Sequence, residues 1–163
     1  MQPSDRKVAV YPCCARDFRR PLFILGKYVD HVIFCDIDPK RLAAFELFKT
    51  KKNLPQKPTS EFYLGDAIEC LQSIESFDVL YYTNDGVGEG GSGVFVLGDR
   101  VLEWLVPKMA STGLIITDGS NSRGSNFERM IRPSGLNKHG RHFSLVEKID
   151  GLSVIAVIPN SDK

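Results

Sequence analysis

A chain of 163 residues, 42% hydrophobic and 25% charged, has enough apolar material to build a core on both faces of a sheet, which excludes wholesale disorder. Twenty-one basic residues stand against twenty acidic ones, so the formal charge of +1 gives no global field towards nucleic acid or a membrane surface. Contact with either would have to come from a local patch.

Short β-rich runs alternate with helical patterns. Lys7–Tyr11 reads as a strand, followed by a loop over Pro12–Asp17 and a helix near Arg20–Tyr28, with Pro21 in the first turn where its missing N–H costs nothing. Val32–Cys35 is a continuous apolar run of the kind buried on both faces of a parallel sheet. Asp38-Pro39 then caps a helix to about Lys52, with Leu42, Phe45 and Phe48 on one face. After a proline-containing loop, Glu61–Leu64 is the third strand. Asp66 to Glu69 has a capping-box form ahead of Ile68, Leu71 and Ile74 at helical spacing.

Asp78–Tyr82 is the fourth strand, and a glycine-rich loop follows it. A helix over roughly Asp99–Val106 leads to a fifth strand at Gly113–Thr117, then to a polar loop and a short helix near Phe127–Arg132. Phe143–Ile149 and Leu152–Ile158 are two strand patterns separated only by Asp150-Gly151, the dipeptide of a tight type I′ hairpin. The pattern predicts one α/β domain over residues 1–163, a three-layer sandwich around a doubly wound, mostly parallel seven-stranded sheet. Right-handed crossovers and the terminal hairpin give the order 3-2-1-4-5-7-6 with strand 7 antiparallel.

No apolar run reaches the roughly 20 residues that span a bilayer, and Met1–Lys7 is polar, without the apolar stretch of a secretory signal. The cysteines Cys13, Cys14, Cys35 and Cys70 form no Cys-x-x-Cys pair. Reduced thiols in a cytoplasmic protein are expected, since a domain this large needs no staples and neighbouring cysteines fit disulfide geometry poorly.

A terminal antiparallel hairpin after five β-then-α units resembles the class I S-adenosylmethionine-dependent methyltransferases rather than a dinucleotide-binding domain, which keeps winding in parallel. The resemblance runs from about Lys7 to Pro159. Val32-Ile-Phe-Cys-Asp-Ile-Asp-Pro looks like that family's second motif, where an acid ends the strand; carried over, the acid is Asp36, suited to accept both ribose hydroxyls. Tyr63-Leu-Gly-Asp-Ala resembles the third, which places Asp66 near the adenine amine. The first motif departs: Val8-Ala-Val-Tyr-Pro-Cys-Cys-Ala-Arg puts Pro12, Cys14 and Arg16 where the family has glycines. The resemblance thus implies S-adenosylmethionine as cofactor, held by Pro12, Cys13, Cys14 and Arg16, by Asp36 and Ile37, and by Asp66 and Ala67. No metal is expected.

The loop Thr83–Gly93 holds five glycines in eleven residues where the transferred methyl would face, so Asp85 is the expected general base and Asn84 a positioning group. Asp85 and Asp118 both follow parallel strands, but two carboxylates without a third ligand are weak evidence for a hard cation such as Mg²⁺, and His139 with His142 reads as loop because Gly140 breaks any helix aligning them. Arg123, Arg129, Arg132, Lys138 and Arg141 form a basic stretch that would suit an anionic acceptor or RNA. A non-catalytic scaffold of the same fold and a basic nucleic-acid module are the alternatives to a transferase.

Overall fold

A computed structural model describes residues 5–83, 94, 96–120 and 127–160. The elements in chain order are β1 (Val8–Pro12), α1 (Arg19–Leu25), β2 (His31–Asp36), α2 (Pro39–Lys49), β3 (Thr59–Leu64), α3 (Ala67–Ser73), β4 (Phe77–Tyr82), α4 (Asp99–Leu105), β5 (Met109–Thr117), α5 (Phe127–Met130), β6 (Leu136–Lys138), β7 (Arg141–Ile149) and β8 (Leu152–Pro159). A 3-10 turn, Val106–Lys108, extends α4. The strands run β3-β2-β1-β4-β5-β8-β7-β6, a mostly parallel α/β sheet with an antiparallel end. By chain contacts it divides into two compact units, 1–81 and 82–163.

In the first unit β1 lies parallel to both β2 and β4, and β2 lies parallel to β3. Alternation along β2 sends its side chains to two layers. Phe34 packs against Tyr11, Phe18 and Phe45, in a cluster that Phe48 and Phe62 extend through Phe18, on the side that α2 covers. Cys35 faces the other way, towards Gly65 and the start of α3. Both helix caps foreseen in the sequence are made: the Asp38 carboxylate accepts from Lys40 N, and Asp66 accepts from Ile68 N and Glu69 N.

In the second unit β8 pairs antiparallel with β5 and with β7. The turn between β7 and β8 has positive φ at Asp150 (49°) and Gly151 (81°), the type I′ geometry that Asp-Gly favours. The sheet has one strand more than the sequence pattern gave. Leu136–Lys138 pairs antiparallel with the first three residues of β7, in the register Leu136↔Phe143, Asn137↔His142 and Lys138↔Arg141. The intervening His139 (φ 54°) and Gly140 (φ 74°) form a second two-residue reversal. A three-residue polar strand has too few positions to show alternation, which is why it reads as loop.

No helix among the described residues is long and apolar enough to cross a membrane.

Candidate functional site

The carboxyl ends of β1, β2 and β3 are joined by backbone and carboxylate hydrogen bonds. Beyond Pro12, which is buried and in register with Cys35, the chain turns back sharply: Cys13 (φ 57°) and Ala15 (φ 51°) both adopt left-handed backbone. Left-handed conformation costs an L-residue roughly 1–2 kcal/mol. The turn is held by Cys14 N donating to Cys35 O at 3.0 Å, Ala15 N donating to Asp36 Oδ2 at 3.0 Å and Asp17 N donating to Cys14 O at 3.0 Å. Tyr11 Oη donates to Asp17 Oδ2 at 2.9 Å, which fixes the far side of the loop to a buried tyrosine.

Two left-handed residues alternating with ordinary ones place successive amides on the inside of a concave turn, the arrangement that a carboxylate or other anion fills. Here one of those amides, Ala15 N, goes to the Asp36 carboxylate and the one before it, Cys14 N, to the Cys35 carbonyl. The glycine positions foreseen from the sequence, Pro12, Cys14 and Arg16, are therefore not the residues in left-handed conformation; those are Cys13 and Ala15. Cys14 turns its side chain into the core, where it is 1% exposed and burial pushes its thiol pKa well up. Its thiol reaches back to Ala15 O at 3.5 Å and stays buried, so it adds no exposed side chain at the loop surface. Arg16 is exposed.

Asp36 is the centre of this edge. Its Oδ2 takes Ala15 N, its Oδ1 takes Asp38 N at 3.0 Å, and its carbonyl takes Gly65 N at 3.0 Å. A carboxylate has about four lone-pair sites, so two remain for incoming hydroxyls. Asp66 uses only Oδ1 for its cap, at 2.8 Å to Ile68 N and 3.2 Å to Glu69 N, which leaves Oδ2 for another donor. Ala67 is buried in the first turn of α3 and contributes packing. Gly65 is glycine for a local reason: a Cβ there would lie 2.8 Å from the Tyr63 ring.

Apolar flanks accompany the two acids. Ile37 is 68% exposed just past β2, and Leu64 is 45% exposed at the end of β3, where it is in register with Asp36. Leu64 was not among the residues singled out in the sequence; an apolar residue ending a strand directly before Gly-Asp was the signal. The edge thus offers acceptors for a diol and for an amine between two apolar side chains, which suits a nucleoside.

Solved structures share this architecture with the chain. A methyltransferase from Geobacter sulfurreducens superposes with a TM-score of 0.62 at 13% identity, covering 95% of this chain and 72% of that one. A candidate methyltransferase from Streptococcus mutans in complex with SAH gives 0.60 at 10% identity, over 93% of this chain and 89% of that one. The chain has the class I methyltransferase fold. An rRNA methylase from Streptococcus thermophilus also has it, with a TM-score of 0.58 at 10% identity over 96% of this chain and 89% of that one. No protein-family model and no curated protein matches the sequence.

The remaining residues picked from the sequence divide into two groups. Asn84, Asp85 and Arg123 lie outside the described residues. Of the other basic residues, Arg141 is already engaged: its guanidinium donates to Met109 O (2.8 Å), Ala110 O (3.0 Å), Val157 O (3.2 Å) and Val106 O (3.5 Å), tying β7 to β5, β8 and the 3-10 turn. Lys138 forms an ion pair with Asp99, which holds that carboxyl below its ordinary range. His139 Nε2 is 3.6 Å from the same carboxylate, so this histidine belongs to the hairpin turn. His142 bonds Asn137 through Nδ1, also within the β6–β7 pair. Among the described residues no three His, Cys, Asp or Glu side chains are placed to share a metal ion.

Proposed function

We propose that the chain, acting as one domain, binds S-adenosylmethionine at the β1–β3 edge and transfers its methyl group to an acceptor. The observation that supports this most directly is the pairing of Asp36 and Asp66, each with acceptor capacity left, on a methyltransferase fold. Asp36 would take the ribose hydroxyls, Asp66 Oδ2 the adenine amine, and Ile37 and Leu64 would flank the ring. Arg16, exposed on the β1 loop, supplies a cation for the methionine carboxylate. When bound, the cofactor supplies an electrophilic methyl on a sulfonium. The protein's part is then alignment and removal of a proton from the acceptor, for which Asp85 is the base and Asn84 the positioning group.

Calorimetric titration with S-adenosylmethionine and with S-adenosylhomocysteine tests the reading. Saturable one-to-one binding that Asp66→Asn weakens supports it; no heat and no thermal shift with either compound overturns it. Asp85→Asn should lower turnover while leaving cofactor affinity unchanged.

One observation favours a second reading, a non-catalytic scaffold of the same fold. Asp36 already receives two amides, and the loop that holds it carries Cβ atoms at both left-handed positions. A folded protein that binds neither compound would establish that reading. The RNA reading loses two of its five cations, since Arg141 and Lys138 are engaged within the fold.

A further inference from the structure

All four cysteines of the sequence gather behind the proposed cofactor edge, and all are free thiols. Cys13 and Cys14 sit in the β1 loop, and the Cys14 amide is bonded to the Cys35 carbonyl at 3.0 Å. Cys35 is the last but one residue of β2, immediately before Asp36. Cys70 lies in α3, one turn beyond Asp66, and its amide donates to Asp66 O at 2.9 Å. The Cys35 thiol lies 3.6 Å from Gly65 O and 4.0 Å from that same Asp66 O, so the two cysteines converge on one carbonyl. Their thiols are close enough to act on each other's ionisation.

We propose that Cys35 and Cys70 are a redox-responsive dithiol whose oxidation to a disulfide weakens ligand binding at Asp36 and Asp66. The clause about ligand binding rests on the function proposed above; the dithiol itself does not. The geometry explains why the bond would be felt. A disulfide requires sulfurs about 2.05 Å apart, closer than any hydrogen-bonded pair of thiols. One of the two elements has to move to close the gap. β2 is an interior strand with partners on both sides, whereas α3 has only seven residues. The helix therefore yields, and Asp66 is its N-cap, bonded to its first-turn amides.

The chemistry is asymmetric. Donation from the Cys35 thiol holds the Cys70 thiol below its ordinary pKa, and the same bond together with burial pushes Cys35 up. Cys70 also borders a cavity that Cys35 does not line, so it is the sulfur that a small oxidant meets first. Attack of its thiolate on a peroxide forms the S–O bond and breaks O–O, releasing hydroxide and leaving a sulfenic acid. The Cys35 sulfur then displaces the sulfenic oxygen, which leaves with the remaining proton as water. The hydroxide takes up the proton that Cys70 lost on ionising, so the two thiols together lose two electrons and one peroxide is reduced to two waters. Cys70 has no exposed surface at rest, but it borders a cavity of about 180 Å³ whose lining includes Ile33, Glu61, Ser73 and Ile74. Fraying of α3, the short helix on that cavity, opens the route.

The test uses the full-length protein treated with stoichiometric hydrogen peroxide, then non-reducing peptide mapping, thermal unfolding and S-adenosylhomocysteine titration. A Cys35–Cys70 linked peptide, a fall in affinity of at least fivefold and recovery in dithiothreitol are expected. Cys70→Ala and Cys70→Ser should bind as the reduced wild type does and ignore peroxide. Failure to form the linked peptide, or a linked protein with unchanged affinity, overturns the proposal, as does oxidation confined to Cys13. If the reduced protein binds no S-adenosylhomocysteine, the cofactor reading fails separately. The linked peptide and a peroxide-dependent shift in unfolding midpoint, absent in both variants, then decide the dithiol alone.

Discussion

The Asp36 carboxylate accepts the amide of Ala15 at 3.0 Å on one oxygen and the amide of Asp38 at 3.0 Å on the other. One side chain thereby fixes the loop after β1 and the entry to α2, so an acid that the cofactor would use is also a structural clamp. Asp36→Ala should cost stability as well as affinity: about 1.5–3 kcal/mol from lost hydrogen bonds to a charged group, and a tenfold or greater loss in S-adenosylhomocysteine binding. Asp36→Asn, which keeps one acceptor oxygen, should lose roughly half as much. Urea unfolding beside calorimetry separates the two effects. A variant of wild-type stability would remove the clamp.

Ala15 pays for a backbone that glycine adopts freely, with φ at 51°. Relief of about 1–2 kcal/mol of left-handed strain is partly offset by the greater freedom of glycine in the unfolded chain, about 0.4–1 kcal/mol. Ala15→Gly should therefore be neutral to stabilising, by up to about 1.6 kcal/mol. Ala15→Val should be clearly destabilising, because a β-branched residue tolerates positive φ poorly. Midpoints of chemical denaturation for the two variants should fall on opposite sides of, or at and below, the wild type. Equal losses would show that the loop conformation is not what limits this position.

His31 couples stability to pH. It is buried at the start of β2, with Nδ1 2.7 Å from Thr59 Oγ1 and Nε2 3.1 Å from Glu61 Oε1. Burial outweighs the attraction of Glu61, and Arg6 and Lys49 add repulsion, so its pKa lies below the ordinary 6.5. The unfolded chain then binds the proton more readily than the folded one. The contribution is complete above about pH 6.5, shrinks as pH falls from there to the folded pKa, and is constant below it. Unfolding free energy of the wild type should decline more steeply between pH 7.5 and 5 than that of His31→Gln. Parallel pH profiles would remove His31 as the cause.

Arg141 is predicted to matter for stability and not for partners. Its guanidinium serves four backbone carbonyls, a task that the rigid fork of arginine can perform and a lysine ammonium cannot. Arg141→Met should destabilise by about 2–3 kcal/mol, since buried carbonyls lose donors, and Arg141→Lys should recover only part. Neither should change cofactor affinity. A stable Arg141→Met protein with reduced binding to an anionic acceptor would return this residue to the basic surface.

Local chemistry carried most of the fold. Asp38 before Pro39, Asp66 before Ala67 and Asp150-Gly151 each act within three residues of themselves, and each makes the cap or turn that its type favours. The apolar run at Val32–Cys35 sits on an interior strand for the same reason that it reads as one: both of its faces are covered. The resemblance of two motifs also pointed to Asp36 and Asp66, and both stand where a strand gives way to the next helix.

Tertiary structure alone decided what depends on atoms distant in the chain. That Cys13 and Ala15, and not the three residues aligned with glycines, take the left-handed backbone follows from the Cys35 carbonyl and Asp36 carboxylate that receive the loop's amides, twenty-one residues further on. That Arg141 is a brace rather than a ligand for phosphate follows from four carbonyls on β5, β8 and the 3-10 turn. Leu136–Lys138 became a strand because β7 offered it a partner. Hydrogen bonds and burial are set by what folding brings within reach, and residue type records only what each group is able to accept.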